Sequence, residues 1–597
     1  MKKFCLIATL SVVLASYIFI ACKQQKEITP EEKIAQTLVA QVDTFSDALK
    51  QLESAIENKP TDEKHLQNLF LKARLAYKNF EWAAEYFEPS TSRFVNGPPV
   101  EEIEVSTQTF EPAGLQVMEG FLYPFYDTTN RTELIDQLKK TETSCNKYKL
   151  HFTNVDILDW QIFDATKLEV FRVETLGITG FDNPFSLHSM SESYTALKSL
   201  QQVIAYYNKD DKEISNKDFD NAENYLASNI NFDVFNRAEF IRSYCNPIST
   251  HISNLEQKLK IKVTTYNRLL NQDAKTLFDT NAFNINAYSP DQNSFVTPAK
   301  IELGKLLFAD PTLSGTGTRS CQSCHQPSKA FTDGLVKNTI INSNKILARN
   351  TPTLINAALQ SSQFYDMRVN SLEDQSINVI QNVLEMHGSI KLSVQKLWKD
   401  SMYKRMFATA FPKPNRTNID TLEVMNAIGS YVRSLTYLNS RFDAYMRGNN
   451  NAINADELNG FNLFMGKAKC ATCHYMPLFN GTFAPRYIKT EAEVIGVPQT
   501  VSSKQIDDDL GRYNIVKVES LKHAFKTPTI RNANRTAPYM HNGVFTTLEQ
   551  VMNFYNKGGG KGLGIEIDNQ TLPFDKLDLT KKESDDIVAF IRCLDSK

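Results

Sequence analysis

Two five-residue strings organise this chain: CQSCH, from Cys321 to His325, and CATCH, from Cys470 to His474. Each sets two thiols three residues apart and follows the second directly with a histidine. That is the signal for c-type haem attachment, in which the thiols form thioethers to the two vinyl groups of one haem and the histidine is held beneath the iron. With nine cysteines and nine histidines in 597 residues, one chance C-x-x-C-H has a probability of about 0.002, so two exclude coincidence. A zinc site needs a tetrahedral Cys/His group, and the residues after each string supply none. A thioredoxin-like dithiol leaves both histidines unexplained. The strings therefore call for two covalently bound haem c groups, on Cys321 and Cys324 with His325, and on Cys470 and Cys473 with His474.

The flanks of the strings repeat as well. Gly304, Leu307 and Phe308 precede the first, Gly460, Leu463 and Phe464 precede the second, and the cysteine pairs stand 149 residues apart. This spacing fits two sequential domains of one kind, 295–445 and 446–597. Thr297 followed by Pro298 reads as the cap and first turn of a helix opening the first of them. Upstream, 22–263 is helical in pattern: Leu66, Leu69, Phe70, Ala73, Tyr77 and Phe80 recur at steps of three and four and share one helix face. The Asn- and Asp-rich stretch 264–294, with Pro290, reads as a linker. The expected fold is mainly α, an N-terminal helical bundle followed by two cytochrome c-like haem domains.

Composition bounds the partners. The 66 basic and 68 acidic side chains leave a net charge of -2 and are interspersed, so the electrostatic source of nucleic-acid affinity is missing and no nucleic-acid partner is expected. The chain starts with Lys2 and Lys3, an apolar run from Phe4 to Ile20, then Ala21 and Cys22. Residues 1–21 read as a secretory signal of the lipoprotein type, with Cys22 lipidated, although Phe19 stands where Leu is usual. An uncleaved anchor is the competing reading, because about 17 apolar residues approach the length that spans a bilayer. Either way the body is exported. Lys23 lacks the aspartate-type retention signal, which favours the outer membrane and a protein facing the periplasm. In that oxidising compartment Cys145 and Cys245 are permitted to pair, with two separate buried thiols as the alternative; Cys593 is left over.

Several strings in order resemble the bacterial dihaem cytochrome c peroxidases and their MauG relatives. They are LGKLLFADPTLSG (303–315), AFTDG (330–334), RNTPTL (349–354), FYDMR (364–368) and Glu385-Met386, then DLGR (509–512), FKTPTIRN (525–532), APYMHNG (537–543) and TLEQVMNFYNKGG (547–559). The resemblance implies reduction of hydrogen peroxide with electrons from a small donor protein, a cytochrome c or cupredoxin, in a molecule that is often a homodimer. It makes Glu385 the distal acid-base group of the first haem and Tyr365 the aromatic bridge between haems, where the family string is Phe-Trp-Asp-Gly-Arg. It implies a Ca²⁺ bound through Asn350, Thr536 and Pro538. It also implies that the sixth ligand of the second haem is Tyr555, as in MauG, rather than a methionine as in the peroxidases, with Met540 and Met552 as alternatives. The loop Leu335 to Ala348 contains none of the displaceable histidine found in members that need reductive activation, so the first haem is expected to be open already, or blocked by a group the sequence does not show. His387, beside Glu385-Met386, reads as a surface residue or a local hydrogen-bond partner.

In the N-terminal region, Gly114 to Glu119 resembles the GxHxxE signature of imelysin-like domains, with Gln116 in place of the histidine; a structural or docking role is expected rather than iron binding. Three functions follow: a peroxidase, a MauG-like oxidase acting on a protein or organic substrate, or a non-enzymatic electron-transfer or iron-handling lipoprotein. A distal acid at Glu385 argues against the last.

Overall fold

The computed structural model describes residues 28–58, 62–103, 108–208, 212–573 and 575–596. The expected leader and the lipidation at Cys22 lie outside the described residues. Helices carry the fold, and among the described residues β-structure is limited to isolated bridges and two short antiparallel pairs. One pair is Glu102–Ile103 with Thr109–Phe110; the other is Ala492–Glu493 with Phe525–Lys526. No described helix is long and apolar enough to cross a membrane.

The N-terminal region packs Pro30–Asn58, Glu63–Lys78, Arg131–Asn154 and Asp159–Thr175 among other helices. The face running from Leu66 to Phe80 is buried at every one of its six positions, as its spacing requires. Its interior also holds charge. Arg172 pairs with Asp182 at 2.7 Å, Lys78 with Glu81 and Asp182 at 2.7 Å each, and all are buried. Burial alone would raise the Asp182 carboxyl, but Arg172 and Lys78 outweigh it and hold the group well below the carboxylate range. The signature helix Leu115–Leu122 buries Leu115, Met118 and Leu122. Gln116 donates to the Asn96 carbonyl at 2.9 Å, and Glu119 accepts from the Ser186 amide at 2.8 Å. Both polar side chains thus bind neighbouring backbone, and among the described residues no cluster of three or more His, Cys, Asp or Glu side chains could hold a metal ion.

The stretch expected as a linker is irregular in backbone yet held against the core. Leu269, Leu270, Leu277, Phe278 and Phe283 are buried, and the Tyr288 hydroxyl donates to the Tyr487 carbonyl. Cys145, Cys245 and Cys593 are separate buried thiols. The permitted Cys145–Cys245 bond is therefore not formed; each thiol packs as a small apolar group in its own surroundings.

Each haem motif follows a helix crossed closely by a later one. Thr297 caps Pro298–Ala309 by accepting from the Lys300 amide, and this helix packs on Thr421–Ser434; Ala455–Met465 packs on Lys581–Cys593 in the same way. The repeated glycines sit at the two crossings. A Cβ on Gly304 would meet the Ala427 carbonyl oxygen at 1.9 Å, and one on Gly460 the Asp586 oxygen at 1.9 Å. Gly460→Ala must therefore spread the helices, and the expected cost is about 1–3 kcal/mol, read as a lowered midpoint in thermal unfolding. One continuous apolar core runs from the N-terminal helices into the second haem domain, while the first domain carries separate clusters around Leu307 and Phe308.

Candidate functional site

Cys321–Cys324 forms a single helical turn, and the His325 amide closes it on the Cys321 carbonyl at 2.9 Å. The His325 Nδ1 lies 3.0 Å from the Phe331 carbonyl oxygen. A carbonyl only accepts, so Nδ1 carries the proton and Nε2 keeps its lone pair for a metal. Left-handed backbone at Ala330 and Phe331 brings that carbonyl back over the ring. The second motif repeats the device: the His474 amide bonds the Cys470 carbonyl at 3.0 Å, and Nδ1 donates to the Pro528 carbonyl at 3.1 Å. Phe308 lies 6.5 Å from the His325 ring and Phe464 6.5 Å from the His474 ring. Burial pushes His325 down, and His474 down to about 4, which favours the neutral imidazole that iron ligation requires.

A cavity of about 280 Å³ opens beside the second motif. Cys470, Cys473 and His474 line it together with Phe464, Ile587 and Ile591, and its wall is mostly apolar. Two thiols on one turn, an oriented imidazole and an apolar slot fit a covalently held haem. Tyr555, Met552 and Met540 all line the same cavity as His474. Burial raises the Tyr555 phenol above its ordinary range, with Cys473, Cys470 and Glu493 adding to it. The cavity continues towards the first domain, where Thr332, Thr351 and Tyr365 line it; Cys321, Cys324, His325 and Glu385 stand outside its lining.

On the first domain, Asn382 holds Glu385 by donating Nδ2 to Oε1 at 2.7 Å, and Arg319 donates to the Glu385 backbone oxygen at 3.2 Å. Burial pushes the Glu385 carboxyl up, while Arg368, the Asn382 hydrogen bond and Arg319 pull it partly back. Arg368 lies 3.4 Å over the Phe364 ring and pairs with Asp366 at 2.9 Å. His387 is exposed and contributes to neither contact. The loop Leu335 to Ala348 folds back on itself, with Leu347 N on the Asn338 oxygen at 2.7 Å, and Asn338 Nδ2 donates to Asp333 at 2.8 Å.

Tyr365 lies in the seam between the haem domains. Its carbonyl accepts from the Lys526 amide at 2.7 Å, and burial raises its phenol. Arg349 spans the seam, 2.6 Å from both Asp366 and Asp509, and the Asn350 amide bonds the His541 carbonyl at 2.7 Å. Asn350, Thr536 and Pro538 line the same cavity, and Asn350 Nδ2 donates to the Leu335 carbonyl at 2.8 Å. Lys526 and Glu493 are among the ionisable lining residues that the sequence does not single out. Burial pushes the Lys526 ammonium down to about 8 and the Glu493 carboxyl up to about 7. Lys526 lies inside FKTPTIRN, where a lysine by itself signals nothing, and Glu493 stands in the polar run KTEAE, which reads as solvated surface.

The profile described as di-haem cytochrome c peroxidase matches residues 298–451. Cytochrome-c peroxidase IdrP2 of Pseudomonas sp. is 33% identical over 316 residues, 50% of this chain and 81% of that protein. Methylamine utilization protein MauG of Methylorubrum extorquens is 34% identical over 302 residues, 50% of this chain and 79% of that protein. Cytochrome c551 peroxidase of Nitrosomonas europaea is 32% identical over 293 residues, covering 49% and 79%. A crystal structure of a MauG-like protein associated with microbial copper homeostasis superposes with a TM-score of 0.46 at 27% identity, covering 51% of this chain and 92% of that one. The matched half is the C-terminal one. Through that half the chain belongs to the dihaem family of cytochrome c peroxidases and MauG, and it is an oxidoreductase of that family.

Proposed function

We propose that this protein reduces hydrogen peroxide in its first haem domain, with electrons passed from a small redox protein, a cytochrome c or cupredoxin, by way of the second. The observation that carries the reading is Glu385, a carboxyl raised by burial, fixed by Asn382 and flanked by Arg368. Cys321 and Cys324 would hold one haem above His325, and Cys470 and Cys473 the other beside His474. When bound, each haem supplies an iron that exchanges single electrons. Glu385 would take a proton from one peroxide oxygen and return it to the other as the O–O bond breaks. The whole reaction is H2O2 with two protons and two electrons giving two waters. Tyr365 keeps an aromatic ring between the domains, and Asn350, Thr536 and Pro538 would hold Ca²⁺ in the seam. An absorption and EPR titration of the purified protein with dithionite and peroxide tests this: one haem that changes spin state on adding peroxide is expected, and two inert low-spin haems would refute it.

Tyr555 on the cavity wall favours a second reading, a MauG-like oxidase that withdraws electrons from a protein or organic substrate. A phenolate is a hard anion that stabilises ferric iron and lowers the potential, whereas a thioether raises it. Tyr555→Phe is therefore expected to raise the second-haem potential and alter its low-spin spectrum. An unchanged spectrum, or the near-infrared band of methionine ligation, removes this reading. We further infer that Cys22 is acylated and holds the protein to a membrane facing the periplasm, with the outer membrane favoured. Cys22→Ala should then release it to the soluble fraction; continued membrane attachment would indicate an uncleaved anchor.

A further inference from the structure

Arg237 precedes Cys470 by 233 residues in the chain, yet it packs against the turn that leads into the second haem motif. It opens the short helix Arg237–Phe240, and its guanidinium is 0% exposed. Its nitrogens are spent on backbone carbonyls: Nε on Ile178 at 2.9 Å, Nη2 on Phe232 at 2.9 Å and Nη1 on Phe235 at 3.2 Å. Among the described residues no carboxylate forms an ion pair with it; the acid near enough to influence it, Asp233, is exposed to water. Burial pushes the guanidinium down to about 9, which leaves it a cation at neutral pH.

The charge faces Gly466. A Cβ built there would stand 2.5 Å from the guanidinium carbon, so the contact exists only because residue 466 has no side chain. Gly466 ends the Ala455–Met465 helix with φ −122° and ψ −108°. Its carbonyl accepts from Lys469 N at 2.7 Å, and Cys470 follows directly. The grip is broader than one residue. Asn462 Oδ1 accepts from the Ala238 amide at 3.1 Å, Asn462 Nδ2 donates to Asn236 Oδ1 at 3.1 Å, and Phe181 packs on Phe483 at 5.6 Å. Both sides belong to the one continuous core.

We propose that Arg237 is a positioning residue of the N-terminal region that fixes the turn carrying Cys470 and raises the reduction potential of the haem bound there. The inference rests on reading Cys470–His474 as a haem attachment. A buried cation without a paired anion opposes the added positive charge of a ferric centre, and its field is weakly screened in an apolar core. The N-terminal helices thereby set how readily the second haem accepts an electron.

The test is spectroelectrochemical titration of both haems in full-length protein, with the first haem as internal control and intact mass reporting haem content. Arg237→Met removes the charge, Arg237→Lys keeps it, and Asn462→Asp adds an isosteric anion in the same contact. The expected result is a downward shift of the second-haem midpoint in Arg237→Met and Asn462→Asp, a smaller shift in Arg237→Lys, and an unmoved first haem. An unmoved second haem, or equal shifts of both, overturns the proposal. If Arg237→Met does not fold, Arg237→Gln, which drops the charge but keeps an N–H donor for the backbone carbonyls, decides in its place. A native protein lacking one haem mass would instead refute the attachment reading beneath it.

Discussion

Glu385→Gln is expected to leave both haems attached and to lower peroxide turnover by about 10²–10⁴-fold, the usual worth of a positioned proton carrier. The substitution is nearly isosteric, and its amide oxygen can still accept from Asn382 Nδ2, now 2.7 Å from Oε1, so the local packing should survive. What is lost is the ability to take up and release a proton. Because burial raises the native carboxyl, the acid limb of the wild-type rate profile should lie above the ordinary glutamate range near 4.3, and that limb should vanish in the variant. The checks are kcat against pH beside a haem count. Unchanged turnover would move the role elsewhere, with His387 the next group to test, although its exposure argues against it.

The second large effect belongs to the pair Cys470→Ser and Cys473→Ser. Without thioethers the second domain should lose one haem mass. The slot walled by Phe464, Ile587 and Ile591 would then face water instead of an apolar ring, which removes the burial of that wall and should markedly destabilise the second domain. The damage should spread unevenly. The N-terminal helices share their core with the second domain, whereas the first domain has its own clusters. Intact mass and thermal unfolding followed by helicity should therefore show one haem retained, with a large early loss of helix. Retention of both haem masses, or an unchanged unfolding midpoint, would contradict the assignment of this cavity.

The parts of the molecule legible in the sequence are those fixed by local chemistry. The C-x-x-C-H spacing predicts a turn that sets two thiols beside a histidine, and the turns at Cys321–Cys324 and Cys470–Thr472, each closed by the following histidine amide, have that form. The close crossings demand glycine, so Gly304 and Gly460 marked the repeat before their helix contacts were known. Thr297 and Pro298 announced a helix start that the structure contains. What stayed hidden depends on tertiary neighbours. Phe278 and Phe283 follow no helical or strand period, so a segment bound into the core resembled a free linker. Compartment permits a bond between Cys145 and Cys245, but only the fold decides whether two thiols meet, and it keeps them apart. Glu493, Lys526 and Arg237 carry charges that sequence statistics assign to the surface; each is made distinctive by an element folded over it from elsewhere in the chain.

On the proposed reading the two haem domains together reduce peroxide, with Glu385 as proton carrier. Its most direct test is anaerobic stopped-flow mixing of the pre-reduced full-length protein with hydrogen peroxide and an excess of a one-electron donor. Donor oxidised and peroxide consumed are counted together in wild type and Glu385→Gln. Two donor equivalents oxidised for each peroxide are expected in wild type, with turnover depressed by about 10²–10⁴-fold in the variant. A protein that carries two haems yet consumes no peroxide, or that turns over equally well without Glu385, would contradict it.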